Sequence, residues 1–517
     1  MSGIKKLAGQ TLWYGVPTIV SRFLGYLMNM ALPFFVAMPS KTADLVQVYT
    51  IIPFLNVLYA YGMETAYFRF SQQKDKTSLY STLSISLLAS TILFSGLLWI
   101  FRDSIISAAD LQAHPEYFGW MIAILAVDNL NTLPFARLRQ ENRPKHYALA
   151  RVSGILLNLA VVIAFLGFIP SIVEKNPGSA WAMVYNKDIG LGYYLIGNLC
   201  GSLFTLLLLS KEISQVRIRF DKVLWKEVIR YSAPLIIVGL GGMVNDVMSR
   251  LIYRHVVDLP KGQADHELGV FANVFRIALL ITIMIQAFRM AAEPFFFNQS
   301  NNEQAPRTYA RVMKFFVIAC CFMFLMIGLF LDVFRWIFTE LANPRWAEGL
   351  HVVPLLALGN IFLGIYYNLS IWYKLTNKNL YGALITIGGA IITIALNIWL
   401  IPIWHYAGAA VATVACYFFM MLASYKLGQK HYPIPYPVKK LTAYMVLVVL
   451  IYLVHLALVN WVSSAYWFSL GTGAVFFYLF TRFVMRIEEK ELAKIPVLAR
   501  FLPKKNAPNS VDAKNEK

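Results

Sequence analysis

Cysteine is scarce in this 517-residue chain, and so are charged residues. The four cysteines all lie within apolar stretches, and none has the spacing of a metal or redox site: Cys200, Cys320, Cys321 and Cys416. We interpret them as packing residues, which argues against a metal centre and against thiol-based redox chemistry. Charged residues make up 14% of the chain, whereas soluble proteins average about 25%. This composition is typical of a protein embedded in a membrane.

The sequence also lacks the features of a secreted protein and of a membrane enzyme. The segment from Met1 to Gln10 has two lysines, but the apolar run after it is too long for a cleavable signal peptide and has no cleavage site. The longest predicted outer loop, Ser171 to Ile189, carries only four charged residues. That is too few for the catalytic site of a membrane glycan polymerase or ligase. We therefore expect no cleaved signal, no enzyme and no metal.

Long hydrophobic stretches make up most of the sequence. Hydrophobic residues make up 58% of the chain, and they form about fourteen stretches that could each cross a bilayer, for which roughly 20 residues are needed. In lipid, a backbone must satisfy its own hydrogen bonds, and a helix does so within one segment. The sequence therefore predicts an all-α polytopic membrane protein with about fourteen transmembrane helices.

Lysine and arginine alternate between the predicted loops. If both ends of the chain are cytoplasmic, the inner segments hold 33 of the 46 Lys and Arg residues and the outer loops hold eight. Positive residues are enriched on the cytoplasmic side of membrane proteins. We therefore predict a multi-pass protein of the bacterial cytoplasmic membrane with both termini in the cytoplasm. The net charge of +19 is then explained by basic loops that face the anionic lipids of the cytoplasmic leaflet. We therefore expect no nucleic-acid partner.

A weak internal repeat predicts two lobes. Tyr14-Gly-Val-Pro17 in the first predicted span matches Tyr231-Ser-Ala-Pro234 in the seventh, and the most basic internal loop, Lys211 to Arg230, lies between the two halves. A repeat of six helices preserves orientation, so we expect two six-helix lobes around a central cavity, related by an axis along the membrane normal. The predicted units are an N-terminal lobe at 1–220, a C-terminal lobe at 221–430, a helix pair at 431–486 and a cytoplasmic amphipathic stretch and disordered tail at 487–517.

Charged residues inside the spans are the candidate functional residues, because an uncompensated charge near the bilayer centre costs at least a few kcal/mol. The candidate binding arginines are Arg22, Arg250, Arg276 and Arg289, and the acids within the spans are Glu64, Asp128, Asp246 and Glu293. Arg151 and Glu64 lie nearer the inner ends of their spans, where their side chains can reach the interface, so neither belongs to the deep set. The deep set is richer in arginine than in acid, and guanidinium groups bind phosphate oxygens in bidentate fashion. A phosphate-bearing amphiphile therefore fits it better than a cationic drug does.

Structural roles for these charges stay open. Asp246 and Arg250 are four residues apart and share a helical face, so they could form only an ion pair. Arg289 and Glu293 have the same spacing. Asp128 could pair with Arg22 or carry a coupling proton.

Short motifs resemble a known superfamily. Ser21-Arg-Phe-Leu-Gly25, inside an opening helix that follows a short basic start, is similar to the first helix of the multidrug/oligosaccharidyl-lipid/polysaccharide exporter superfamily. Asp44 and the stretch Tyr61 to Phe70 resemble its second helix, and the basic connection Arg137 to Lys145 also fits. Fourteen helices in two lobes plus a terminal pair is the pattern of its polysaccharide transporter (Wzx-like) and lipid II flippase branches. The lipid II branch continues its first-helix motif with an Arg-Asp pair, where this chain has Met28-Asn29.

The resemblance implies a flippase that moves a polyprenyl-diphosphate-linked oligosaccharide across the cytoplasmic membrane by alternating access. The substrate would be a unit of O-antigen, capsule or another surface polysaccharide, and glycan-assembly proteins would be partners. The alternatives are a lipid II flippase and a drug or cation antiporter of the same superfamily. No cofactor is expected, and coupling to a proton or a sodium ion stays open.

The charge pattern makes a topology prediction. Single cysteines introduced at Ser2 and Ser510, in a variant without native cysteines, should be protected from an impermeant thiol reagent in intact cells, because both termini are predicted to be cytoplasmic. Labelling after membrane permeabilisation is the control. Labelling of either position in intact cells would contradict the orientation or the helix count.

Overall fold

The computed structural model describes residues 20–492, except for seven positions: Arg22, Gln72, Gln73, Asn142, Ser300, Asn301 and Asn377. Eleven helical segments in this part are long and apolar enough to cross a membrane. One of them, Asn379–His431, is two helices, because His405 has a positive φ of 52° that breaks the helix. Two shorter apolar helices, Phe23–Phe35 and Gly192–Leu208, complete the set. The predicted all-α polytopic membrane fold is thus confirmed, and the described residues contain no strand.

We number these segments in chain order. They are α1 (Phe23–Phe35), α2 (Pro39–Phe70), α3 (Lys76–Ile100), α4 (Glu116–Gln140), α5 (Pro144–Lys175), α6 (Gly192–Leu208), α7 (Lys222–Val256), α8 (Lys261–Gln299), α9 (Ala305–Leu341), α10 (Pro344–Leu375), α11 (379–404), α12 (406–431), α13 (Val438–Trp461) and α14 (Tyr466–Ile487). Inner and outer ends are named below according to the predicted charge orientation.

The helices pack in two groups. Among the N-terminal helices, α1–α6, the closest packing joins α6 to α5 and α4, and α4 to α2 and α3. Among the C-terminal helices, α7–α12, α10 packs against α8, α9 and the α11–α12 pair, and α7 packs against that pair. The groups meet where α7 and α8 contact α2, and α13 packs on α9. The boundaries predicted at 220, 430 and 486 and the symmetry of the lobes stay predictions, and residues 493–517 lie outside the described residues.

A buried carboxylate fixes the last two helices. Glu488, just after α14, is 2% exposed and receives bonds from Lys314 at 2.7 Å and Lys440 at 2.5 Å. The hydroxyl of Tyr444 donates to it at 2.9 Å. Burial raises the pKa of the Glu488 carboxyl, but the hydrogen bonds from these three groups lower it more, so the pKa lies below its usual range. The charged form therefore joins α9, α13 and the end of α14.

Two glycines allow close contact between α5 and α6, the helices that form one wall of the candidate site. A Cβ atom built on Gly201 would lie 2.5 Å from the Gly154 carbonyl oxygen and 3.0 Å from Cβ of Asn158. One built on Gly154 would lie 2.1 Å from Oγ1 of Thr205. Small residues let membrane helices approach backbone to backbone, so any side chain here would separate the two helices.

This contact predicts different effects for two glycine substitutions. Gly201→Ala should lower the free energy of unfolding by about 2 kcal/mol, because the added methyl meets backbone atoms that cannot move aside. Gly96→Ala on α3 is the matched control, since nothing lies within 4 Å of its added carbon, and it should be neutral or slightly stabilising. Thermal unfolding in detergent measures both. Equal midpoints would contradict the proposed close contact.

Candidate substrate-binding cavity

A polar cavity of about 670 Å³ lies among the N-terminal helices. Its walls come from α1, α2, α4, α5 and α6, and nearly all of the lining residues belong to the inner halves of these helices. On α4 the lining positions Asp128, Thr132, Phe135 and Arg139 recur every three or four residues, so they share one helical face. Polar and charged residues within membrane spans are costly and usually functional, which makes this polar chamber the candidate functional site.

Amide side chains dominate the wall of this chamber. Four helices contribute one or two asparagines each: Asn56, Asn129, Asn131, Asn158 and Asn198. Asn131 donates to the Ser202 carbonyl at 3.1 Å, and Asn198 donates to the Tyr49 hydroxyl at 3.0 Å. The amide oxygens of Asn129, Asn131 and Asn158 are buried without a hydrogen-bond donor among the described residues. Amides both donate and accept, so this surface suits a neutral ligand rich in hydroxyl groups.

Asp128 is the acid at mid-depth. Its Oδ1 accepts a hydrogen bond from the Ser202 hydroxyl at 2.6 Å, and Arg151, which lines the same cavity, attracts it electrostatically. The Arg151 guanidinium lies over the Phe135 ring, 5.4 Å from its centroid. Asp128 and Arg151 therefore face the same cavity and attract each other without forming a direct salt bridge among the described contacts. This arrangement could hold a proton or a cation.

A second charge pair lies at the inner mouth of the chamber. Helix α2 is interrupted at Tyr61 and Gly62, whose φ angles are 30° and 75°, and it restarts at Met63. The left-handed conformation of Gly62 is one that glycine adopts without steric cost. The restart places Glu64 in the first turn of the new helix, where its carboxylate forms an ion pair with Arg139 of α4. Glu64 is therefore compensated by a residue 75 positions away in sequence.

Arg276 is the deepest cation of the C-terminal helices. The Arg276 side chain lies near enough to Tyr194 of α6 and Tyr26 of α1 to interact with both electrostatically. It therefore faces the N-terminal helices. Its Nη1 is buried without a hydrogen-bond partner among the described residues. Tyr194 is itself oriented by a hydrogen bond from its hydroxyl to Oδ1 of Asn29 at 2.8 Å. An orphaned guanidinium N–H between two helix groups is a ready site for an anion.

Arg250 adds a second positive charge beside Arg276. Its guanidinium lies 4.3 Å from the centroid of the Phe275 ring, and its Nη2 donates to the backbone carbonyl of Asp246 at 3.1 Å. The spacing of Asp246 and Arg250 allowed a carboxylate ion pair, but the described contacts show only the backbone bond, and Asp246 is exposed. The cation–π contact explains the difference, because it holds the side chain against α8. Nε of Arg250 is also left without a partner.

Among the described residues, Arg289 is not brought together with this pair. Arg289 lies over the Tyr367 ring at 4.8 Å, about 20 Å along α8 from Arg276, given the helical rise of about 1.5 Å per residue. Arg22 lies outside the described residues, as does the side chain of Glu293, so their roles stay predictions.

Sequence reasoning missed the amide cluster and Arg139. One sequence signal was present, since Asn129 and Asn131 follow Asp128 within an apolar span. Amides are costly in lipid for the same reason that charges are, so their presence mid-span should have marked the cavity wall.

The cavity makes an accessibility prediction. In a variant without native cysteines, Asn198→Cys should react with an impermeant thiol reagent in inside-out vesicles and not in right-side-out vesicles, because the chamber occupies the inner half of the helices. Ile92→Cys is the control, since Ile92 is on the exposed apolar face of α3 and should not react from either side. Labelling of Asn198→Cys from the outside alone would contradict the placement.

Comparison with solved structures places this fold among membrane transporters. The chain is similar to the lipid II flippase MurJ in an inward closed conformation, with a TM-score of 0.69 and 14% identity, over 92% of this chain and 98% of that one. An inward-facing multidrug resistance transporter of the MATE family gives a TM-score of 0.62 at 15% identity, over 81% of this chain and 95% of that one. The MATE transporter VcmN from Vibrio cholerae gives 0.58 at 10% identity, over 84% and 100%.

Sequence comparison finds no relative that would narrow the function further. No protein-family model matches the chain, and no characterised protein matches it at the sequence level. Identities of 10 to 15% support a common fold and no more. The chain therefore has the fold shared by MurJ and the MATE transporters, and its activity must be argued from its own residues.

Proposed function

We propose that this protein is a flippase that moves a polyprenyl-diphosphate-linked oligosaccharide across the bacterial cytoplasmic membrane. One observation carries the proposal. Arg250 of α7 and Arg276 of α8 lie near enough for their positive charges to repel each other, and each has a buried guanidinium nitrogen with no hydrogen-bond partner among the described residues. Asp246 attracts Arg250 electrostatically, but two buried like charges still leave an excess of positive charge that is costly within a membrane. A ligand with at least one negative charge would compensate it.

A diphosphate supplies that compensation. Arginine forks bind phosphate oxygens through paired hydrogen bonds, and two neighbouring guanidinium groups match the two phosphate groups of a diphosphate. A cationic drug would be repelled by the same pair. A drug or cation antiporter is therefore the weaker proposal, although MATE transporters share the fold.

The amide-lined chamber supplies a place for the glycan. It lies in the inner half of the N-terminal helices, and Tyr194, one turn of α6 before the lining residue Asn198, lies near enough to Arg276 to act on it electrostatically. Sugar hydroxyls can exchange hydrogen bonds with amide groups in either direction. A volume of about 670 Å³ falls within the usual range of about 300–1,000 Å³ for small-ligand sites.

An apolar groove on the C-terminal side could accommodate the lipid tail. Its volume is about 480 Å³, and it lies between α9, α10, α12 and α13, lined by residues such as Met313, Phe362, Phe418, Leu441 and Val449. Every CH₂ of a polyprenyl chain that leaves water gains about 0.8 kcal/mol, so the tail stays in lipid or in such a groove while the polar part crosses.

Membrane potential would assist export. For an inside-negative membrane, outward movement of one negative charge is favourable by about 2.3 kcal/mol per 100 mV. The arginines reduce the charge that moves, since they neutralise part of the diphosphate. Asp128 and Arg151 could instead couple transport to a proton or sodium ion.

Lipid II is the second candidate substrate. It is also a polyprenyl diphosphate, and the named lipid II flippase has the same fold over 92% of this chain. The departure at Met28-Asn29 from the lipid II branch favours a surface-polysaccharide unit. The two substrates differ in the peptide of lipid II, so they can be separated experimentally.

Reconstitution tests the proposal. Proteoliposomes with a fluorescent polyprenyl-diphosphate oligosaccharide in one leaflet should show protein-dependent flipping. Arg276→Gln and Arg250→Gln should each slow it about tenfold or more, since each removes charge-assisted hydrogen bonds worth about 1.5–3 kcal/mol. Arg276→Lys should restore only part of the rate, because an ammonium lacks the planar fork.

Arg102→Gln is the matched control, as Arg102 is an outer arginine paired with Asp103. Lipid II in place of the oligosaccharide distinguishes the two substrates. Unchanged flipping in both arginine variants would overturn the proposed anion site, and transport of cationic dyes alone would favour the antiporter.

A further inference from the structure

A third arginine continues the line of the cationic pair toward the outer surface. Arg254 follows Arg250 by one turn of α7, so the two share a helical face. The helical rise puts Arg254 about 6 Å closer to the outer end. Its side chain is only 4% exposed, although the charge pattern alone would class it as an ordinary outer-loop residue.

Three aspartates surround the Arg254 guanidinium. Nη2 lies 2.7 Å from Oδ1 of Asp44, and Nε lies 2.7 Å from Oδ1 of Asp265. Nη1 donates to the Asp110 carbonyl at 2.9 Å and lies 3.8 Å from the Asp110 carboxylate. The Nε–H is not directed at the Asp265 oxygen and makes no hydrogen bond. The guanidinium is thus held by carboxylates without all of its donors being used.

These contacts join the two helix groups at their outer ends. Asp44 begins α2 and Asp110 follows α3, whereas Arg254 and Asp265 belong to α7 and α8. Lys261 of α8 adds a second link to Asp110 at 2.6 Å. We call these five residues the outer clasp. Outward opening requires its two halves to separate.

Separation would change the charge on each side. In the closed clasp, three carboxylates face two cations. After separation, α7 and α8 keep Arg254 and Lys261 against Asp265 alone, which leaves one net positive charge. The N-terminal side keeps Asp44 and Asp110, which repel anions. Opening would therefore extend the cationic surface of α7 outward from Arg250 to Arg254.

We propose that Arg254 is the exit-side anion ligand of the pathway, occupied by Asp44 and Asp110 when the outer end is closed and by the substrate diphosphate when it is open. This inference rests on the proposed function and adds a site to it. The aspartate carboxylates act as internal substitutes for phosphate oxygens. Their return to Arg254 on closing displaces the diphosphate to the outside.

The inference predicts opposite affinity changes in two variants that both weaken the clasp. Asp44→Asn removes one of the carboxylates that hold Arg254 and keeps Arg254 itself, so it should favour the open state and bind polyprenyl diphosphate more tightly, by about threefold or more. Arg254→Gln should also favour the open state but bind about tenfold more weakly, because it removes a charge-assisted anion ligand. Arg254→Lys keeps the charge and should lie between wild type and Arg254→Gln.

Two measurements on the reconstituted full-length protein report these effects. Pulsed electron paramagnetic resonance between spin labels at the exposed positions Ser107 and Gln263 follows the outer opening, and titration with polyprenyl diphosphate in phosphatidylethanolamine vesicles gives the affinity. Polyprenol, which has no phosphate, and vesicles with added phosphatidylglycerol test whether the anion is the diphosphate or any lipid phosphate. Arg102→Gln is the control for an outer arginine outside the clasp.

Affinity changes of the same sign in Asp44→Asn and Arg254→Gln would overturn the ligand role and leave a purely structural clasp. Unchanged spin-label distances in both would overturn the clasp. Failure of the wild type to bind polyprenyl diphosphate would instead defeat the proposed function together with the ligand role, while the distances would still report whether the clasp controls opening.

Discussion

The placement of guanidinium charges inside the membrane is the constraint on which the remaining features depend. Each such charge costs at least about 2.5 kcal/mol at mid-depth unless it is compensated. The protein compensates its arginines in three ways. Glu64 pairs with Arg139, three aspartates surround Arg254, and Phe275 covers Arg250. Nη1 of Arg276, like Nε of Arg250, is buried without a hydrogen-bond partner among the described residues, and we place Arg276 at the centre of the proposed anion site.

Under the proposed function, the helix groups bind different parts of the substrate. The N-terminal helices would offer amides for hydroxyl groups, the C-terminal helices would offer arginines for phosphate, and the groove against α13 would offer apolar surface for a lipid chain. Arg276 and Tyr194 lie near enough to interact electrostatically, which brings the first two surfaces close to each other. Each of these surfaces would bind a different chemical group of the substrate, so none of them needs to bind tightly. A substrate held by several weak interactions can then dissociate as readily as it binds.

The sequence predicted the helices well because apolar length and positive-charge alternation are local properties. It also marked Arg250 and Arg276 as candidates, since a charge within an apolar span is visible in the sequence alone, and their role stays a prediction. It could not predict that Glu64 meets Arg139 or that amides from four helices share one wall, because those contacts depend on how helices pack. Arg254 shows the same limit. Its position in the sequence assigns Arg254 to an outer loop. Only the packing of α2 and α8 around it reveals the outer clasp.

A structure of the protein in a lipid bilayer with polyprenyl diphosphate bound tests the central claim most directly. The account predicts a diphosphate oxygen within hydrogen-bonding distance of Nη1 of Arg276, with the second phosphate beside Arg250. Density for the diphosphate elsewhere, with Nη1 of Arg276 still unpartnered, would contradict it.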